Sequence, residues 1–168
     1  GIGKPNTLYV IPLDLEKENL GDKLLRALNL IEKKKPDWTA WKIALEGIIA
    51  PKHEINIGIV GKYLDIGNYQ LVDSYISINE ALKHASSKNF VKINLTWIDS
   101  KKLEDKSADL QSILGNFNGV IIPGGFGSSG VEGKINAIEY LRKNNIPFLG
   151  LCYGMQLAVV EFARNVCN

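Results

Sequence analysis

Gly150-Leu151-Cys152-Tyr153-Gly154 sets a cysteine between glycines two residues away on either side, where a short apolar run gives way to a periodic segment. A strand-to-helix turn of this kind crowds the neighbours of its apical residue, so small residues flank it while the apical side chain projects above a sheet. The segment after it, Met155 to Val166, has helical periodicity, and its unpaired N–H groups and positive dipole end would bear on the sulfur and favour thiolate. The pattern points to a nucleophilic Cys152. A buried structural cysteine beside a helix-packing glycine is the competing reading.

A second feature follows the preceding apolar run: Pro123-Gly124-Gly125-Phe126-Gly127, then Ser128, Ser129 and Gly130. Such a loop exposes backbone N–H groups with no side chain in the way. Beside the cysteine turn, the N–H of Gly125 and that of Tyr153 would hold the oxyanion of a tetrahedral intermediate. Glycine turns after strands also cradle phosphates, but this one lacks the Lys-Ser/Thr ending of a P-loop and the spacing of a dinucleotide fingerprint.

A thiolate attacking an amide needs a proton donor for the leaving nitrogen, usually a histidine, and the chain has only His53 and His84. His53 precedes the first predicted strand and so belongs to the amino edge of a sheet, opposite the expected site. His84 falls late in a helix running back from the carboxyl edge, which at ~1.5 Å per residue puts it about 20 Å away. Both read as surface or packing histidines. The general base is expected beyond Asn168 or on another chain.

The elements that must position these residues alternate between short apolar runs and longer periodic segments from Ile55 onward, the signature of a parallel sheet flanked by helices. Strands are predicted over Ile55 to Val60, Val91 to Ile98, Gly119 to Ile122 and Phe148 to Leu151. Helices are predicted over Tyr69 to Ala85, Ala108 to Leu114, Gly133 to Asn144 and after Cys152. Residues 1 to 53 differ in texture. They read as an extended piece at Leu8 to Pro12, a helix through Leu24, Leu25, Leu28 and Leu30 ended by Pro36, and a second helix from Trp38 to Ile48 opening after Asp37. The expected organisation is thus a linker over 1–53 and an α/β unit over 54–168, an open, doubly wound, flavodoxin-like or Rossmann-like sheet, mostly parallel, with chemistry at the carboxyl ends of its strands.

A formal charge of +2 over 168 residues gives no ground for a nucleic-acid or anionic-membrane partner, and Lys33-Lys34-Lys35 reads as a solvated helix end. No run approaches the ~20 apolar residues that span a bilayer and no leader pattern opens the chain, so the location expected is cytoplasmic. With two cysteines, one of them at position 167, a disulfide framework is not expected. No metal site is expected.

Several stretches together resemble one family: Val60-Gly61-Lys62-Tyr63, Pro123 to Gly127, Val131-Glu132-Gly133-Lys134, Pro147 to Cys152, Gly154-Met155-Gln156-Leu157-Ala158 and Glu161-Phe162-Ala163-Arg164-Asn165-Val166. The cysteine turn and glycine loop are similar to those of class I glutamine amidotransferases, and Val131 to Lys134 with Glu161 to Val166 resemble the CTP synthase branch. The resemblance covers residues 55 to 168. Leu8 to Leu13 and the Trp38 to Ile48 helix resemble, more weakly, the end of a synthetase domain and its connector.

The resemblance implies a ligase that hydrolyses L-glutamine at Cys152, releasing ammonia through a glutamyl thioester. The ammonia would reach a synthetase domain where UTP, activated by ATP with Mg2+, is aminated to CTP in pyrimidine nucleotide biosynthesis. It implies no cofactor in this portion and a homo-oligomeric full enzyme. Gly125, Tyr153, Gly154, Met155 and Gln156 would contact glutamine, although Gln156 on the first turn of a buried helix could instead serve a structural hydrogen bond. The family's triad histidine and glutamate fall after Asn168, so an incomplete amidotransferase domain with little activity of its own is expected. Ser129 stands where the family carries an arginine tied to GTP activation. Two alternatives remain at this point: an inert interaction module of the same fold, and another cysteine hydrolase of that fold.

Overall fold

The computed structural model describes residues 7–61, 75–105, 107–125 and 129–167. Two compact units divide the chain, Gly1–His53 with Lys83–Lys92, and Glu54–Leu82 with Ile93–Asn168.

In the first unit, Leu8–Val10 forms a 3-10 turn that runs directly into α1 (Ile11–Lys17), correcting the extended reading of Leu8 to Pro12. Pro12 lies in the first helical turn, where a missing N–H breaks no bond and the fixed φ suits the helix. Helix α2 (Leu20–Ala27) ends well before Pro36. Its stop is Asn29, at φ 54°, which lets the Leu30 N–H turn back to the Leu25 carbonyl at 2.9 Å; asparagine tolerates the left-handed conformation that closes a helix. Helix α3 (Thr39–Ile49) opens one residue later than predicted, with Trp38 as its N-cap and the Thr39 N–H donating to Asp37 Oδ1 at 2.9 Å. The Thr39 side chain and N–H hold the Asp37 carboxyl below its usual range.

Helix α4 (Ile76–Asn89) runs on past Ala85, and its predicted start at Tyr69 lies outside the described residues. Its C-terminal part packs on α3 so closely that a Cβ on Gly47 would stand 2.0 Å from the Ser87 carbonyl oxygen, while Ser87 Oγ donates to the Ala44 carbonyl at 2.6 Å.

The sheet has the order β2-β1-β3-β4, from β1 (His53–Gly61), β2 (Val91–Asp99), β3 (Gly119–Ile122) and β4 (Phe148–Gly150). Pairing of β1 with β3 and of β3 with β4 is parallel, with Ile59 opposite Ile121 and Ile122 opposite Gly150. A 3-10 turn at Ser100–Leu103 and the short α5 (Leu110–Leu114) precede β3, α6 (Val131–Lys143) leads to β4, and α7 (Tyr153–Asn165) follows it. This is the α/β architecture expected.

The core of this unit is apolar and interlocked: Val60, Val120 and Ile122 from the strands meet Ile135, Ile138 and Leu141 of α6 and Leu157 of α7. All four residues of β3 are buried, as a central parallel strand covered on both faces requires. Helix α6 starts at Val131, two positions before the predicted Gly133, because Gly130 adopts a left-handed φ of 78° and its N–H donates to Glu104 Oε1 at 2.7 Å.

Candidate active site

Two adjacent parallel strands deliver the site. Beyond Ile122 the chain continues through Pro123, Gly124 and Gly125; beyond its register partner Gly150 it passes through Leu151 to Cys152. The Leu151 N–H still donates to the Ile122 carbonyl at 2.9 Å, which carries the alignment past the last paired residues of β4. The glycine loop and the cysteine turn are therefore brought together: a Cβ on Gly124 would lie 3.3 Å from Cys152 Cβ and 3.5 Å from Sγ.

Cys152 is exposed and takes φ 52°, ψ −114°, a conformation that L residues rarely adopt and that stores about 1–3 kcal/mol. The glycines around it permit the turn. A Cβ on Gly154 would stand 1.8 Å from the Ile122 carbonyl oxygen, and one on Gly150 2.7 Å from the Met155 nitrogen. Helix α7 starts at Tyr153, directly after the cysteine, and the Cys152 carbonyl accepts from the Met155 and Gln156 N–H groups at 3.1 and 3.3 Å. Among the described residues the Tyr153 N–H donates to no acceptor. Met155 and Gln156 are exposed, Tyr153 is half-buried and Gly154 is buried. No hydrogen bond engages the Gln156 side chain among the described residues, so the structural alternative for it finds no partner there. Gly125 has φ 152°, which favours glycine. Phe126 to Ser128 lie outside the described residues; Ser129 is exposed, just ahead of α6.

His53 opens β1 at the amino edge of the parallel sheet. His84 Nε2 lies 2.8 Å from the Tyr9 hydroxyl, its ring edge-on to the tyrosine at 5.7 Å.

One residue near the loop has no counterpart among the predicted site residues. Lys134 is buried in the first turns of α6, and its Nζ donates to the Pro123 carbonyl at 2.7 Å and the Gly124 carbonyl at 3.2 Å. The signal was its place on the apolar stripe with Ile138 and Leu141, at i, i+4 and i+7, where a lysine must have polar partners.

Behind the site, α6 and α7 are joined by two ion pairs. Glu161, also on a buried stripe, accepts from Arg142 Nε at 3.0 Å and Nη2 at 2.7 Å, with Asn165 Nδ2 adding a donor at 3.1 Å. The Arg142 hydrogen bonds hold the Glu161 carboxyl below the usual carboxylate range against the opposing effect of burial, and Glu161 raises Arg142 in turn. Arg164 Nη1 meets Glu132 at 3.1 Å at the surface. Gly133 admits the Ser100 carbonyl, which would lie 1.8 Å from a Cβ.

Residues 70–168 match the glutamine amidotransferase class-I family. CTP synthase of Methanocaldococcus jannaschii is 50% identical over 168 residues, covering 96% of this chain and 30% of that protein. CTP synthase of Nostoc punctiforme is 46% identical over 160 residues, covering 95% of this chain and 28% of its own length. The chain thus spans about 30% of the length of the curated relatives it matches. Among solved structures, the Trypanosoma brucei CTPS glutaminase domain with bound acivicin superposes with a TM-score of 0.59 at 39% identity, over 67% of this chain and 41% of that one. With its strained cysteine turn and adjoining glycine loop on a parallel sheet, the chain belongs to the class-I glutamine amidotransferases, within the part they share with CTP synthases.

Proposed function

We propose that this chain is the glutamine-hydrolysing part of a CTP synthase, with Cys152 as its nucleophile. The observation that carries the reading is the exposed sulfur at a positive-φ turn, with the glycine loop close enough that a Cβ on Gly124 would touch it. In this scheme Sγ attacks the side-chain amide carbon of glutamine. The oxygen charge that develops is held by the N–H groups of Gly125 and Tyr153, the latter at the start of a helix whose dipole favours an anion. Collapse of the tetrahedral adduct breaks the C–N bond and expels ammonia, the leaving nitrogen having taken the proton that the thiol gave up, and leaves a glutamyl thioester. Water then cleaves the thioester to glutamate and free thiol. Gly154, Met155 and Gln156 complete the glutamine contacts, and the two exposed side chains among them support that assignment.

Ammonia then passes to a synthetase domain that aminates UTP to CTP in a cytoplasmic, homo-oligomeric enzyme. Residues 1–53 form the end of that domain and its connector. Among the described residues no group of three His, Cys, Asp or Glu side chains gathers; ATP and Mg2+ act, in this proposal, in the synthetase domain. No described helix is long and apolar enough to cross a membrane.

The test is selective labelling. A diazo-ketone analogue of glutamine is expected to modify Cys152 much faster than Cys167, as read by peptide mass mapping with glutamine protecting only the former. Slow, equal modification of both cysteines would favour the inert-module reading.

A further inference from the structure

We propose that Lys134 is a positioning residue for the oxyanion site, holding the Gly124–Gly125 peptide in the orientation the chemistry needs; this rests on the reading of Cys152 as the nucleophile. The Gly124 carbonyl and the Gly125 N–H belong to one planar trans peptide and point in opposite directions. Lys134 Nζ anchors that carbonyl at 3.2 Å, and the Pro123 carbonyl at 2.7 Å, on the buried side of the loop. The Gly125 N–H is thereby turned away from the lysine. Two successive glycines resist rotation of their shared peptide poorly, since neither carries a Cβ to limit φ and ψ. Gly125, at φ 152°, already occupies a conformation that L residues rarely adopt, and no side chain of its own holds it there.

The lysine supplies the missing restraint from a different element. Its backbone is fixed in α6 between Gly133, pressed on the Ser100 carbonyl, and Ile135 in the core. An alkyl stem rooted in this packing and an Nζ shared by consecutive carbonyls form a tether with little freedom. Preorganised donors act on developing charge only if they need not reorient during the reaction. Lys134 therefore acts through the Gly125 N–H and touches neither glutamine nor Sγ in this scheme.

The experiment compares two reagents on the purified chain and its Lys134→Met and Lys134→Gln variants. The diazo-ketone glutamine analogue must seat its carbonyl against the oxyanion donors. Iodoacetamide alkylates a thiolate at a saturated carbon and forms no oxyanion. The variants are expected to lose about tenfold in the rate of diazo-ketone labelling at Cys152, with iodoacetamide labelling of the same residue unchanged within about twofold. A proportional fall in both rates, or no fall in either, would overturn the proposal. Rates are read on whichever variant keeps the wild-type circular dichroism; loss of fold in both would assign Lys134 to stability alone and also overturn it. If wild type itself resists the diazo-ketone while iodoacetamide reacts, the fault lies with the Cys152 reading, a result separable from the others.

Discussion

Helices α2 and α6 both carry large aliphatic residues at helical spacing, yet their fates differ. In α6 the stripe of Ile135, Ile138 and Leu141 is sealed against β3 and α7. In α2 no residue is buried; Leu24 is 52% exposed, and Leu28, just past its end, 64%. An amphipathic pattern specifies which face of a helix can be covered, but a partner decides whether burial follows. The contrast extends to charge: α6 and α7 bury Lys134 and Glu161 with partners, whereas α1 offers only the surface pair of Lys17 with Asp14 at 2.9 Å.

Substitutions can break this contrast in graded steps. Gly154→Ala should do the most damage, because the new methyl would meet the Ile122 carbonyl oxygen at 1.8 Å, a backbone atom that cannot step aside. A loss of about 3 kcal/mol or more in urea unfolding is expected, together with loss of diazo-ketone labelling at Cys152. Arg142→Met comes next. It strands a nearly fully buried carboxylate, but the arginine itself is partly exposed, so about 2 kcal/mol is expected rather than the full penalty for a sealed pair. Its pH signature is more telling than its size. Folding lowers the Glu161 pKa, so the pair's contribution is fully present above the unfolded carboxylate pKa and fades as pH falls through the folded value. Wild type should therefore lose stability on acidification more steeply than Arg142→Met, measured by urea midpoints across the acid range.

Cys152→Gly should act in the opposite direction. Relief of the positive-φ strain is expected to stabilise the chain by about 1 kcal/mol, read in the same unfolding assay, while abolishing labelling at that position. Stabilisation by removing the sulfur would mark the turn as built for chemistry; a loss would mark Cys152 as packing. The smallest effect belongs to the end of α2, where Leu28→Ala at its C-cap should change unfolding by less than about 0.5 kcal/mol. A larger loss there would show that its apolar face is covered in solution and would erase the contrast with α6.

How legible all this was in the sequence follows the same division. The strands and the cysteine turn were readable because short apolar runs, flanking glycines and a periodic segment all agree on one local geometry. Strand β3 matched its predicted bounds, and β4 stopped only one residue early, at Gly150, where the turn begins. The N-terminal segment was harder. Leu8 to Pro12 has the composition of a strand, but Thr7 Oγ accepts from the Tyr9 N–H at 3.4 Å and Pro12 favours a first helical turn, so local capping outweighed apolar character. The end of α2 was misplaced because an asparagine in a left-handed conformation stops a helix as well as a proline does, and Asn29 gave less notice than Pro36. Within the candidate site, the meeting of the cysteine turn with the glycine loop was legible by residue type. For Lys134 the apolar stripe signalled only a need for polar partners, since the fold decides which carbonyls α6 brings within reach.

The contact between Gly154 and the Ile122 carbonyl also bears on how relatives of this chain should be sorted. That glycine is demanded by the volume of a backbone atom and would be demanded equally in a relative with another residue in place of the cysteine. A survey keyed to that glycine would gather molecules that share the shape of the turn, whatever residue stands at its apex.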